Sequence, residues 1–328
     1  MVDLSTTYMG LSLRNPLIVG SSGLVKTVEG VQKAADAGAG AVVLKSLFEE
    51  QLQAQTDEID RDMMASAHTE ALEYVRAEIG MSYGVGEYTQ LIRQCKRSVS
   101  IPVIASINCV SPRWWTQYAE QIAAAGPDAL ELNISRMPVD PSGAANSIEE
   151  IFYSIVEDVT RRIELPVAVK IGPYFTSLAN FAAGLIKRGA SALVLFNRFY
   201  RPDIDVDSMQ AITASPFSTP EEISISLRWI ALLAGRLPCD FASSTGVHDH
   251  IGLIKQLLAG ASAVQACSTF YIHGFQQIET MLKGLEDWME AKGLNRLEEI
   301  PIQMQPNLTS QPELFERLQY IKLFGGIE

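Results

Sequence analysis

A small-residue turn followed at once by a short apolar run recurs along this chain, as AGAGAVVLKS, AGPDALELNI, RGASALVLFN and AGASAVQACS. Glycine in such a turn ends a helix in the left-handed conformation, and the run after it reads as a buried strand. Three further runs open on or beside proline, IPVIASI, LPVAVKI and LPCDFAS, and PLIVGSS stands near the N-terminus. Proline is tolerated at the first position of a strand, where it interrupts no ladder. The series gives eight strands, at about residues 16–22, 39–46, 101–107, 128–134, 165–171, 192–198, 239–244 and 263–268. Between them, TVEGVQKAADAG, SIEEIFYSIVEDVTRRIE and HDHIGLIKQLLAG carry apolar residues at the three- and four-residue spacing of amphipathic helices. An open doubly wound sheet would give the same local alternation. A count of eight with no break in composition predicts instead a closed α/β architecture, a (β/α)8 TIM barrel forming a single domain over residues 1–328.

Two intervals are too long for a helix and a turn, residues 47–100 and 199–225. Both follow strands, which places them as insertions on the C-terminal rim, where barrels build their sites. Residues 274–293 read as a C-terminal amphipathic helix, and the tail after it is expected to pack on the barrel exterior. With 47% hydrophobic residues there is material for a large core, and a net charge of −12 disfavours nucleic acid or an anionic membrane as partner. The opening MVDLSTTYMG lacks the basic and apolar runs of a secretion signal, and no stretch approaches the roughly 18 apolar residues of a membrane span. The expectation is a cytoplasmic protein. Cys95, Cys109, Cys239 and Cys267 are widely separated, so no zinc or iron–sulfur motif is present within the chain.

The strands end on polar residues: Ser21 and Ser22, Lys45 and Ser46, Ser106 and Asn108, Asn133 and Ser135, Lys170, Asn197 and Arg198, Ser243 and Ser244, and Ser268. Such groups cost several kcal/mol if buried unpaired, so their recurrence at one face points to a shared polar ligand or a connected network. SSTGVHDH and QACSTF place small residues at the turns after strands seven and eight, the usual phosphate cradle of these barrels. Lys45 and Lys170 fit a cation beside a flavin, a Schiff-base nucleophile, or the partner of a carboxylate such as Glu131. The residues alone do not choose among these.

From NPLIVGSSG through AVVLKS, PVIASINC, DALELNIS, PVAVKI, LVLFN and SSTG to AVQACS, the sequence resembles the dihydroorotate dehydrogenase family and the related pyrimidine-binding domain of dihydropyrimidine dehydrogenase. That resemblance implies an FMN-dependent oxidoreductase acting on a small dihydropyrimidine-like or carboxylate-bearing ring. It places Gly20, Ser21, Lys45 and Ser46 near the flavin, with Asn133, and Lys170 at its N1/O2 edge. Ser244, Thr245, Gly246, Cys267 and Ser268 would hold the phosphate, and Asn108, Asn133, Ser135 and Asn197 would surround a flat pyrimidine substrate. It further implies a homodimer, or a flavin subunit that works with an NAD-linked iron–sulfur partner.

The chain departs from the family pattern in three places. Arg136 stands where the family keeps a cysteine or serine base, and a guanidinium stays protonated. With Lys45 it is the catalytic candidate, suited to a carboxylate by bidentate contact or to a salt bridge with Asp140. SYGVGEYTQ replaces the family's M-G-L-P-N substrate loop, and EEISIS replaces a glycine turn. A base from the rim would have to be Tyr83, Glu87, His248 or His250. Three alternatives follow: a non-catalytic FMN-binding or ligand-sensing barrel, the flavin subunit of a larger NAD-linked complex, and a Schiff-base aldolase using Lys170.

Overall fold

The structure is a computed structural model that describes residues 2–48, 85–108, 112–136, 139–144, 146–198, 202–213, 215–302, 317 and 320–322. Eight parallel strands form a ring: β3 (Leu17–Val19), β4 (Ala41–Val43), β6 (Val103–Asn108), β7 (Ala129–Asn133), β8 (Val167–Ile171), β9 (Ala192–Leu195), β12 (Asp240–Ser244) and β13 (Ala263–Ala266). Pairing of β13 with β3 and of β4 with β6 closes it. All eight expected strands are present, shorter than the apolar runs that announced them. Their last residues leave the ladder to become loops and helix starts: Ser268, for example, opens a helix.

Helices alternate with the strands: α1 (Val28–Asp36), α2 (residues 85–98), α3 (Pro112–Ala123), α4 (Ser147–Thr160), α5 (Leu178–Lys187), α6 (Ile223–Leu233), α7 (His250–Ala259), the short α8 (Ser268–His273) and α9 (Gln276–Lys292). Their starts follow local capping chemistry. Thr27 Oγ1 accepts from Gly30 N at 3.2 Å, and Asp249 Oδ1 accepts from Gly252 N at 2.7 Å. Helix α9 matches the C-terminal helix expected at 274–293. Leu297 and Ile300 beyond it pack into the outer core, while most of the later tail lies outside the described residues.

Two cores follow from the two faces of each strand. The outer one, between strands and helices, gathers Leu17, Val42, Ile107, Leu130, Val169, Leu193 and Phe241 with the helical side chains. The inner one holds Ile18, Ala41, Val43, Ile104, Ala129, Ala168, Ala192, Val194, Ala242 and Ala263. Its many alanines leave room that a hairpin not anticipated from the sequence fills. Strands β1 (Thr6–Tyr8) and β2 (Leu11–Leu13) pair antiparallel and insert Tyr8, Met9 and Leu13 among the lumen residues. Asp240, at the start of β12, accepts from Met9 N at 2.7 Å, which fixes the hairpin at the N-terminal end of the barrel.

Side chains alternate in a strand, so the residue two beyond an inner-core residue also faces the lumen. Applied to Ile104, Ala129, Ala168 and Ala263, this gives Ser106, Glu131, Lys170 and Gln265, each buried. A polar layer therefore sits above the apolar one, toward the C-terminal rim. The expected rim insertion at 47–100 is described only at its ends, as β5 (Leu47–Phe48) and α2. The one at 199–225 contains an antiparallel hairpin, β10 (Pro202–Asp205) with β11 (Gln210–Thr213), and then a capped turn leading into α6.

Candidate active site at the C-terminal rim

Across the lumen, Lys170 Nζ donates to Gln265 Oε1 at 2.9 Å, and Gln265 Nε2 donates to Glu131 Oε2 at 2.6 Å. Lys170 and Glu131 are 6% and 1% exposed, and their closest charged atoms are 3.9 Å apart. The glutamine amide thus links ammonium and carboxylate, each of which would be costly to bury alone. The remaining oxygen, Glu131 Oε1, has no hydrogen-bond partner among the described residues. The sequence had offered Glu131 only as a companion to a lysine, and had missed Gln265. A polar residue at period two after Ala263 was the signal.

A second network ties three strand ends together. Ser21 Oγ accepts from Ser46 N at 2.8 Å, Ser46 Oγ lies 2.7 Å from Ser106 Oγ, and Tyr88 OH on α2 accepts from Ser106 N at 2.9 Å while donating to Ser106 O at 3.1 Å. Burial pushes the Tyr88 phenol well above its ordinary range, so it works here as a neutral hydroxyl. Further round the rim, Asn197 Nδ2 donates to Asn133 Oδ1 at 2.8 Å, pairing two of the expected substrate residues.

The turn after β12 is held in an uncommon backbone conformation. Thr245 and Gly246 both have positive φ, 79° and 81°, and a β-carbon on Gly246 would run into the backbone of Glu222 and Ile223. Both residues line the rim cavity, and the Gly246 N–H donates to Ser218 Oγ at 3.4 Å. Gly20 is under a similar restriction, since a β-carbon there would lie 2.8 Å from Cys267 Sγ. The Cys267 thiol is itself raised in pKa, first by burial and against the pull of Lys170.

Ser21, Lys170, Asn197, Ser244, Thr245, Gly246, Cys267 and Ser268 line one cavity of about 390 Å³, with Arg198, Ser218 and Gln265. This volume is in the range of small-molecule sites. Gly20, Ser46 and Asn133 join through Cys267, Ser21 and Asn197 respectively. Lys45 and Asn108 are partly buried outside that lining, and Ser135 and Arg136 are exposed in the loop after β7. Asp140 bonds to Ser142, and no ion pair joins it to Arg136 among the described residues. Of the candidate rim bases, Tyr83 lies outside the described residues and Glu87 is exposed. His250 packs against Gly284 in a separate groove with Leu4 and Asp36. His248 alone reaches the rim segment over the cavity, where its Nε2 lies 3.0 Å from Ser218 Oγ, and burial lowers its pKa.

Residues 3–289 match the sequence model of the family described as dihydroorotate dehydrogenase. The NAD(+)-linked dihydroorotate dehydrogenase B catalytic subunit of Thermoplasma volcanium is 24% identical over 92% of this chain and 98% of its own length. That of Pyrococcus furiosus is 26% identical over 91% and 98%. A putative dihydroorotate dehydrogenase A (fumarate) of Aeropyrum pernix is 27% identical over 66% of this chain and 72% of its own. A closed parallel barrel, a rim cavity with a buried lysine and a match over most of its length agree: this chain belongs to the dihydroorotate dehydrogenase family of oxidoreductases acting on CH–CH groups.

Proposed function

We propose that residues 1–328 work as one FMN-binding barrel that oxidises or reduces a small dihydropyrimidine-like or carboxylate-bearing ring. The carrying observation is a single cavity lined both by the buried Lys170 and by the small residues of the turns after β12 and β13. The residues fit FMN on that ground: a fixed cation for the electron-rich edge of a flavin ring, and small hydroxyl-bearing residues with room for its phosphate. FMN, when bound, supplies the two-electron acceptor. Lys170 would be held at the ring by Gln265 and Glu131, and Gly20, Ser21 and Ser46 would form the wall beside it. Thr245, Gly246, Cys267 and Ser268 would take the phosphate, with Ser244 beneath. Asn133 and Asn197 would hold the substrate, with Asn108 and Ser135 further out. Arg136 would hold a substrate carboxylate, because its guanidinium stays protonated and takes no proton from carbon.

The relatives' printed role as NAD(+)-linked catalytic subunits supports a partner subunit; that this partner carries an iron–sulfur cluster, and that the chain is a cytoplasmic homodimer, belong to the proposal. Among the described residues no helix is long and apolar enough to cross a membrane. An anaerobic titration of the purified protein with dihydroorotate, followed at the flavin absorbance band, tests the reading. Bleaching establishes dihydroorotate dehydrogenation with a base other than Arg136. A yellow spectrum that only dithionite bleaches retains the FMN barrel and removes the dihydroorotate assignment. Arg136 at the base position favours one second reading, a ligand-sensing barrel that binds FMN without turnover. A colourless protein would overturn both.

A further inference from the structure

A row of hydroxyls leads from the wall of the cavity into the lumen, at the ends of the first three strands of the ring. Ser21 lines the cavity, Ser46 is 4% exposed and Ser106 is fully buried. Ser21 Oγ lies 3.1 Å from Ser46 Oγ, which lies 2.7 Å from Ser106 Oγ. The backbone fixes both ends. Ser21 Oγ accepts from Ser46 N, and Tyr88 OH closes on the N–H and the carbonyl of Ser106, so the phenol proton does not enter the row. Glu131 is the register partner of Ser106 on the next strand, about 4.8 Å away, and also faces the lumen. Its Oε2 accepts from Gln265. Its Oε1 has no hydrogen-bond partner among the described residues and lies 3.9 Å from the Lys170 ammonium, beyond hydrogen-bond reach.

A serine hydroxyl has one proton to give and two lone pairs. Three hydroxyls with two contacts between them therefore use two protons and leave the third at one end of the row. With every proton directed inward, Ser21 donates to Ser46, Ser46 donates to Ser106, and Ser106 turns its proton toward Glu131 Oε1. Ser21 then has one lone pair taken by Ser46 N and one open to the cavity. With every proton directed outward, Ser106 donates to Ser46, Ser46 donates to Ser21, and Ser21 offers its own proton to the cavity. The same residues thus present an acceptor or a donor without any proton entering or leaving. Only the inward order gives the buried carboxylate oxygen a donor, and a hydrogen bond to a charged group is about twice as strong as a neutral one. The row is biased inward, toward a ligand group that donates.

On the FMN reading above, we propose that this row is a contact of reversible polarity for the flavin ring, and that Ser106 and Glu131 bias it toward the reduced form. Reduction places a hydrogen on a ring nitrogen that is an acceptor in the oxidised form, and hydrogen bonds to ring nitrogens tune a flavin. The outward order serves the oxidised ring; the inward order serves the reduced ring and satisfies Glu131 Oε1 as well. Ser106 is not among the residues lining the cavity and acts through Ser46 and Ser21, as a positioning residue. The test is a potentiometric titration of the FMN-loaded full chain, because the midpoint of the bound flavin reports the ratio of its affinities in the two redox states. Ser106→Ala should reduce the preference for the reduced form roughly tenfold, the scale of a hydrogen bond to a charged group. For a two-electron couple that lowers the midpoint by about 30 mV. Ser106→Cys keeps the volume with a weak donor and should fall as the alanine variant does, whereas Ser106→Thr keeps the hydroxyl and should hold the wild-type midpoint. In a Glu131→Gln background, where a neutral amide replaces the carboxylate, adding Ser106→Ala should change the preference only about threefold. A midpoint that is unchanged in Ser106→Ala and Ser106→Cys overturns this inference and leaves the FMN reading standing. An effect of Ser106→Ala as large in Glu131→Gln as in wild type overturns it as well, because it then does not pass through the carboxylate. A wild type that binds no FMN removes the FMN reading and this one with it.

Discussion

At the scale of the residue, the buried charges of the lumen and the exposed guanidinium of the rim call for opposite experiments. Lys170 is compensated through Gln265 by a carboxylate that is almost fully buried. Lys170→Met removes the cation and leaves Glu131 buried without a counter-charge. We expect flavin reduction by substrate to slow by roughly 10²–10³, as for the loss of one preorganised charge, and the potential of the bound flavin to fall in a potentiometric titration. Glu131→Gln keeps the shape of the chain and should raise that potential. Arg136 is exposed, so Arg136→Ala should leave stability within about 0.5 kcal/mol. Orotate binding, followed by the flavin spectrum, should weaken roughly tenfold. Unchanged orotate affinity would remove Arg136 from the substrate site.

At the scale of the element, the turn between β12 and α7 is the most constrained piece of chain at the rim. Gly246 has φ of 81° and its α-carbon faces the backbone at the start of α6. Gly246→Ala should therefore cost about 1–3 kcal/mol from the backbone conformation alone, with the close contact added, and a thermal melt of the flavin-depleted chain should show it. Helix α2 offers a pH test. Cys95 is fully buried on that helix, and burial pushes its thiol from an ordinary value near 9 to about 11. Its folded pKa is the higher one, so across that window the unfolded chain gives up a proton that the folded chain keeps. Stability from this group is thus intact below the unfolded pKa and falls as pH rises. Urea midpoints taken at about pH 8 and about pH 10 should show a loss that is smaller in Cys95→Ala.

At the scale of the whole molecule, the N-terminal hairpin decides whether the barrel has a floor. Tyr8 is fully buried among the lumen alanines, and its hydroxyl has no hydrogen-bond partner among the described residues. Tyr8→Ala should cost about 3–5 kcal/mol by opening a cavity. Tyr8→Phe should be neutral or mildly stabilising, because it removes a buried hydroxyl that is not satisfied. A large loss in Tyr8→Phe, measured by urea unfolding, would show that the hydroxyl is paired in solution.

The sequence by itself determined the number, order and type of the barrel strands, because an apolar run opened by a small-residue turn or by a proline is a local statement that eight stretches each make independently. It likewise marked the strand-end serines, asparagines and lysines, since a polar residue ending a buried strand needs a local reason. Tertiary structure alone decided which of them share a cavity. Lys170 and Gln265 lie 95 residues apart, and the strands that carry them meet across the lumen only when the ring closes. The same holds for Ser218 and His248, joined by the fold of a rim segment whose residues have no periodic pattern. The hairpin plug was invisible for a related reason. Three-residue strands are too short for alternation to register, and the space they fill exists only because alanines distant in sequence line one lumen.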